Sequence, residues 1–412
     1  MESARVIAGL LRLVRDVGLA EELAQDALVA ALEQWPRAGI PDKPGAWLMT
    51  TAKHRAIDRL RRSKLHERKH EELSHELEAQ KDLAAPEGES AADDNVGDDL
   101  LRLMFTSCHP VLPPEGRVAL TLRVLGGLST AEIARAFLVP EPTIAQRIVR
   151  AKRTLAESRP PFAVPRGPEL TARLESVLEV IYLIFNEGYA ATAGDDWMRP
   201  ALCEEALRLG RVLAEIVPLE SEVHGLVALM ELQASRARAR VGADGTPVLL
   251  LEQNRGLWDY VLIKRGLAAL ARADELGGAQ GPYALQAAIA ACHARAATPE
   301  ATDWARIAAL YAALARVVPS PVVELNRAVA LAMAEGPAAG LVIVDTLTLE
   351  PALKGYHLLP SVRGDLLAKL GRFAEASVEL ERAAALTRNV RERALLSERA
   401  AVCARAAASS GG

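Results

Sequence analysis

Aromatic side chains are scarce in this chain, with five Phe, six Tyr and five Trp making 4% of its residues. Strands draw on aromatic and β-branched residues, so the scarcity argues against a sheet-built core. Ala, Leu, Arg and Glu dominate instead, and these lose little rotamer freedom in a helix. Cysteine is nearly absent. Cys108, Cys203, Cys292 and Cys403 stand far apart without a CxxC pair, which argues against structural disulfides and fits a reducing, cytoplasmic setting. No apolar run reaches the ~18–20 residues of a membrane span, and the N-terminus carries no signal-peptide pattern. Val177–Phe185 is apolar but too short, and is expected to be a buried helix. No nucleotide-binding glycine loop, GxSxG or HExxH occurs. The expectation is a non-enzymatic protein without cofactor, metal or membrane. Its 412 residues predict two to four domains at roughly 100–200 residues each.

The net charge of −4 hides a partition. Residues 43–64 hold seven Lys or Arg against Asp58, a local +6. Residues 67–99 hold twelve acids against three bases, a local −9. Residues 143–159 hold five bases against Glu157, a local +4. Two basic segments flank an acidic one, so a near-neutral total says nothing against nucleic-acid binding.

Apolar spacing predicts a first helix through Val6, Leu10, Leu13, Val14 and Val17, ended by Gly18. A second runs from Ala20 to Trp35 with Leu23, Ala27, Leu28, Ala31 and Leu32 inward, followed by a loop at Pro36–Pro44. A third, basic helix runs from Pro44 or Gly45 to Lys64, with Trp47, Leu48, Thr51, Ile57 and Leu60 as its stripe. Residues 66–98 lose periodicity and form an acidic linker. Helices resume at Asp99–His109, Glu115–Leu125, Thr130–Phe137 and Glu141–Ser158, before a Pro-rich joint at Arg159–Pro168. From Glu169 to Arg405 short helices alternate with Gly and Pro, as in an α-solenoid. Its clearest unit is Leu359–Leu386, where Gly364, Gly371, Ala376, Leu380 and Ala383 occupy tetratricopeptide positions. A weaker copy spans Glu324–Leu347, with Ala328 and Leu331 in the matching places, and Ala406–Gly412 is expected to fray.

The sharpest local signal runs from Leu128 to Arg153. Ser129 or Thr130 caps a short helix whose inner face is Ile133, Ala134 and Phe137. A turn at Leu138–Pro140 leads to a second helix that buries Ile144, Ile148 and Ala151. Its other face presents Thr143, Gln146, Arg147 and Arg150, long donors near the start of a helix that enters the major groove. Lys152 and Arg153 follow and would meet phosphates. The plainer reading is a basic amphipathic helix packed on another.

These segments, in this order, resemble an extracytoplasmic-function (ECF) RNA polymerase sigma factor. Residues 128–153, with the helix Glu115–Leu125 before them, resemble the region that reads the promoter −35 element. Glu21–Leu32 resembles the helix that grips the clamp helices of the polymerase large subunit. Trp47–Arg62 resembles the −10-reading helix, and the loop Arg37–Lys43 the pocket for an extruded −10 base. Ile181–Tyr189 resembles a signature of the tetratricopeptide-bearing extension of one sigma-factor subgroup.

The resemblance implies an all-α chain. Residues 1–65 would be sigma region 2, 66–98 the linker, 99–160 the region 4 helix-turn-helix, and 169–405 a helical extension. It implies core polymerase contacts through Glu22, Gln25 and Asp26, which by themselves read as a solvated acidic face. It implies −10 contacts through Lys53, His54, Arg55, Arg59, Arg61 and Arg62. The family often has Asn at His54 and a polar or basic reader at Ala145, so base preference does not carry over at either place. It usually has most of a further helix ahead of Arg5, so region 2 is expected to be short there. Trp47 reads as core more readily than as a base-stacking platform. The implied partners are core RNA polymerase, promoter DNA and a regulatory protein on the solenoid. Two rival readings are a one-component helix-turn-helix regulator with a ligand-sensing solenoid, and an interaction scaffold.

Other clusters carry less. His66, His70 and His75 lack a fixed third ligand, and Cys108–His109 would point to different helix faces. Asp195–Asp196 beside Trp197 reads as a loop. Asn186 and Glu187 would cap their helix or bridge to the sigma part. Arg236, Arg238 and Arg240 would pair with the acidic linker or touch DNA nonspecifically.

Overall fold

The Gly- and Pro-punctuated pattern folds into helices throughout. The computed structural model describes residues 2–72, 94–137, 139–165, 167–190, 198–242 and 246–410. Among them there is no strand, only an isolated bridge between Val241 and Pro247. None of the described helices is long and apolar enough to cross a membrane. The chain divides into two compact units, Met1–Ile181 and Tyr182–Gly412.

The first unit begins with α1 (Glu2–Val14), α2 (Val17–Ala38) and α3 (Pro44–Glu72). The first break falls at Arg15–Asp16 rather than at Gly18. Arg15 takes the left-handed conformation with φ +53°, and Asp16 caps α2 by accepting from the Leu19 amide at 2.8 Å. Leu13, expected inward, is exposed. Pro36 does not stop α2. It lacks only a donor, and the carbonyl four residues back, on Leu32, lies on the exposed side of the helix. Leu32 itself is 76% exposed instead of buried. On α3 the buried stripe is Leu48, Ala52 and Ala56, a strict i, i+4 series, while Ile57 faces out. Alanine lets α3 approach α1 and α2 closely, which the larger residues of the expected stripe would prevent. Trp47 is half-buried, edge-on to Trp35 at 5.5 Å between ring centroids.

Four more helices complete this part: α4 (Asp94–Ser107), α5 (Pro114–Val124), α6 (Thr130–Phe137) and α7 (Glu141–Ser158). Leu100, Leu101, Leu103, Met104 and Phe105 of α4 are buried, and α4 packs on both α1 and α5. The following helix, α8 (Pro168–Tyr189), opens on the same core. Arg173 donates to the Phe105 carbonyl at 2.7 Å and Ser176 to the Cys108 carbonyl at 2.6 Å. Arg117 donates to Ser176 at 2.5 Å and pairs with Glu179 at 2.9 Å. The Pro-rich joint therefore does not end the first unit, whose boundary falls inside α8.

The second unit continues through α9 (Pro200–Ile216), α10 (Ser221–Ala234), α11 (Tyr260–Glu275), α12 (Pro282–Arg295), α13 (Trp304–Val317), α14 (Pro321–Glu335), α15 (Pro337–Leu347), α16 (Leu358–Lys369), α17 (Phe373–Leu386) and α18 (Val390–Ser410). From α9 onward each helix packs on its successor, the serial arrangement of a solenoid. The Leu359–Leu386 unit is the pair α16–α17, with Gly371 turning between them at φ +75°. Gly364 sits where a Cβ would meet Leu380 at 2.8 Å. In the weaker copy, α14–α15, Ala328 is buried and Leu331 half-buried. The C-terminus does not fray at Ala406: α18 continues to Ser410, held by buried Leu396, Ala400 and Cys403.

Candidate nucleic-acid interface

The helix-turn-helix is set by local chemistry. The Ser129 hydroxyl accepts from the Glu132 amide at 3.2 Å, and Glu132 accepts from the Ser129 amide at 2.8 Å. This reciprocal capping box satisfies two donors at the start of α6. Of the expected turn, Leu138 lies outside the described residues, and Val139 donates back to the Ala134 carbonyl at 3.1 Å. On α7, Ile144, Ile148, Ala151 and Leu155 are buried and seat the helix on α5 and α6.

That stripe fixes which side chains face away. Gln146, Arg150 and Arg153 are exposed, and Thr143 and Arg147 half-exposed beside them, so five expected DNA contacts share one flank. Arg153 pairs with Glu157 at 2.7 Å. Lys152 leaves this group. Its position turns it to the other flank of α7, where its ammonium meets Glu21 at 2.5 Å.

Glu21 is a functional candidate that sequence reasoning missed. Its carboxylate, 6% exposed, also meets Arg123 at 2.5 Å and accepts from Gln25 at 2.9 Å. One side chain of α2 thus joins α5 and α7. An acid within Glu21-Glu22 looks like part of a solvated face, and only the register of α2 separates the buried Glu21 from exposed Glu22.

The remaining basic residues divide similarly. Lys53, His54, Arg61 and Arg62 stand exposed on α3. Arg55 and Arg59 lean toward α2, pairing with Asp26 at 3.7 Å and Glu22 at 3.5 Å. Two of the three residues expected to meet polymerase and two of those expected to meet DNA therefore hold one another. These pairs are exposed, so each is worth at most about 1 kcal/mol. The expected acidic linker is shortened at both ends, since α3 runs on to Glu72 and α4 begins at Asp94. Its residues 73–93 and the side chains of His66, His70 and His75 lie outside the described residues, as do Asp195, Asp196 and Trp197. Residues 39–43, most of the expected base-pocket loop, are mainly exposed, while Arg37 belongs to α2.

The arginines of the second unit depart from expectation. They lie around a single 3-10 turn, Ala237–Ala239, rather than on a helix. Arg240 is buried, its guanidinium 3.5 Å from the centroid of the Tyr189 ring. Arg236 lies over Trp258, and Arg238 is exposed. Arg240 is thus drawn inward by an aromatic face, and Arg236 is half-buried beside two. Glu187 pairs with Arg199 inside the same unit. All four cysteines are free and buried, and burial pushes the Cys108 thiol up to about 11.

Burial holds the His293 pKa down to about 4, with Arg236 and Arg255 adding to the effect. An unfolded chain protonates this histidine near its ordinary 6.5 while the folded chain does not. The stability it supports is therefore complete above pH 6.5 and is lost as the pH falls toward 4. Between pH 7 and 5 the second unit should lose about 2 kcal/mol by this route. Chemical denaturation of wild type and His293→Gln at both values checks it: the variant should lose that much less.

Residues 2–65 match the family model described as Sigma-70 region 2, and residues 102–155 the one described as Sigma-70, region 4. Residues 173–274 match a family of unknown function, DUF6596. The chain is 45% identical over 393 residues to an uncharacterized protein of Rhizobium meliloti (strain 1021), covering 95% of this chain and 92% of that one. It is 30% identical over 158 residues to the ECF RNA polymerase sigma factor SigK of Mycobacterium tuberculosis, covering 37% of this chain and 78% of SigK. SigK of Mycobacterium ulcerans is 31% identical over 155 residues. No solved structure matches. With both sigma regions in order and a helical extension behind them, the chain belongs to the ECF RNA polymerase sigma factors, which direct transcription initiation.

Proposed function

We propose that α7 reads the −35 element through Thr143, Gln146, Arg147 and Arg150, with Arg153 on phosphate. The observation that carries this is the flank itself. Gln146 and Arg150 are exposed, and no hydrogen bond or ion pair among the described residues engages either side chain. The buried Ile144–Leu155 stripe holds them on a rigid element. Lys53, His54, Arg61 and Arg62 of α3 bind the −10 strand, joined by Arg55 and Arg59 once these leave α2. Core polymerase docks on the α2 face that carries Glu22, Gln25 and Asp26, where Val29 and Leu32 add exposed apolar surface at helical spacing. The C-terminal unit regulates these contacts, and the protein works in the cytoplasm.

The test is in vitro transcription with core polymerase on genomic promoter fragments. Arg150→Ala should weaken promoter use by about 1–2 kcal/mol, roughly 5- to 30-fold, and relax the preference at one −35 base. Arg153→Ala should weaken all promoters alike and flatten the salt dependence. An Arg150→Ala variant with unchanged preference at every −35 position would refute the assignment.

A further inference from the structure

The second unit carries a half-open cavity of about 420 Å³ lined by Tyr182 of α8, by α10 and the Arg236 that follows it, by Leu250, by α12, and by α13 and α14. That volume lies within the usual range of small-molecule sites, roughly 300–1,000 Å³. Its lining has two chemical halves. Leu229, Ile289, Leu314, Val322 and Val323 are apolar. Gln233, Arg236, His293, Tyr311 and Asn326 supply donors and acceptors. Among the lining residues Arg236 is the permanent cation and none is acidic.

Arg236 is held in an uncommon way. Its guanidinium lies 5.9 Å from the ring centroids of both Tyr189 and Trp258, and no ion pair among the described residues engages it. The rings hold nearer cations, Arg240 at 3.5 Å on Tyr189 and Arg255 at 4.7 Å on Trp258, so Arg236 lies at their margin and keeps its planar N–H fork, which matches a carboxylate. Beside it, His293 is buried edge-on to Trp304 at 5.1 Å, with an Nδ1 that has no hydrogen-bond partner. Its depressed pKa keeps it neutral, so it does not compete with Arg236 for an anion. Burial raises the Tyr311 phenol to about 12, which keeps its proton available as a donor. Tyr182 and Gln286, by contrast, are already spent on each other at 3.1 Å.

We propose that this cavity binds a small organic carboxylate. The Arg236 fork takes the carboxylate, the orphaned His293 nitrogen or the Tyr311 hydroxyl takes a polar substituent, and Ile289, Leu314 and Val322 cover the apolar body. A bare inorganic anion would leave the apolar half without a role. The extension is then a sensor as well as a scaffold, whatever promoter the sigma part reads.

Titration calorimetry of the full chain tests this with benzoate and hexanoate against their uncharged analogues benzamide and hexanamide. At least one carboxylate should bind saturably and its amide at least about tenfold more weakly. Arg236→Gln should remove the difference. Because Arg236 also lies beside Trp258, Val323→Phe serves as a second variant that fills the cavity and leaves the charge in place. It should abolish binding of acid and amide alike. Hydrogen exchange of wild type with benzoate or hexanoate needs no variant, and should slow residues 229–236 and 286–293. Saturable binding by neither carboxylate, equal binding of acid and amide, or protection confined to other segments would each overturn the proposal.

Discussion

Glu21→Ala should loosen the packing of α2 against α5 and α7 by about 3 kcal/mol, an equilibrium shift of roughly 150-fold. Glu21 is 6% exposed, while its partners Arg123 and Lys152 keep 23% and 25% of their side-chain surface. Removing a buried carboxylate strands two cations, which costs ~3–5 kcal/mol when both are fully buried. Partial hydration of the partners places this case at the lower end. The change matters because of distance. Elements centred at −10 and −35 lie about 85 Å apart at ~3.4 Å per base pair. On the proposed assignment of α3 to −10 and α7 to −35, helices tied through one carboxylate could not occupy both at once, and the packed first unit would be a form of the chain off its promoter. Cysteines placed at the exposed Val29 and Val149 allow fluorescent labelling, since the four native cysteines are buried. Energy transfer between them should be high in this background and fall in Glu21→Ala. Glu21→Gln, which keeps shape and some hydrogen bonding, should fall between. Equal transfer in all three would show that Glu21 does not hold these helices together.

Gly188→Ala should destabilise the start of the second unit by about 3 kcal/mol, against the trend of helix propensity. Alanine in a helix is ordinarily ~1 kcal/mol better than glycine. Here a Cβ would lie 2.6 Å from the Cys203 backbone nitrogen and 2.9 Å from the Leu202 Cβ. Backbone cannot step aside as a flexible side chain can, and Arg199 further fixes this crossing by donating to the Gly188 carbonyl at 2.7 Å. Overpacking costs ~1–3 kcal/mol, and contact with backbone belongs at the upper end. Hydrogen exchange over α9 should accelerate roughly 150-fold. Gly210→Ala is the control, because there the Cβ would meet the end of the Met230 side chain at 2.6 Å, which can rotate away. Similar exchange in both variants would remove the argument from backbone contact.

Much of this architecture is legible in the residues. Period-3.6 spacing located α6 and α7 because Ile133, Ile144 and Ile148 each bury against neighbouring helices, and propensity and tertiary packing agree there. On α2 and α3 they do not. Alanine carries little weight in a hydrophobic pattern, yet Ala52 and Ala56 are the buried positions and Ile57 is exposed. Leu32 follows the pattern of a core residue but faces out on the surface assigned to polymerase, where a partner outside the chain would cover it. The site shows the same limit. Composition reveals that α7 is basic, and register separates Gln146 and Arg150 from Lys152. The tie from Lys152 to Glu21 spans most of the first unit in sequence, and no local signal encodes it. The cavity is likewise assembled from five separate segments, and its Arg236 reads in sequence as one of three ordinary surface charges.

On the proposed assignments, the pairs Arg55–Asp26 and Arg59–Glu22 couple two ligands, each of which takes one member of the same pairs. A protein surface that claims the two carboxylates releases two guanidinium groups for phosphate. Nucleic acid that claims the guanidinium groups releases the carboxylates in turn. Thermodynamic reciprocity then requires each ligand to tighten the other by the same factor, at most roughly 30-fold for two exposed pairs. Holoenzyme assembly and promoter capture would then be positively cooperative through side-chain pairs alone, apart from any opening of the Glu21 tie.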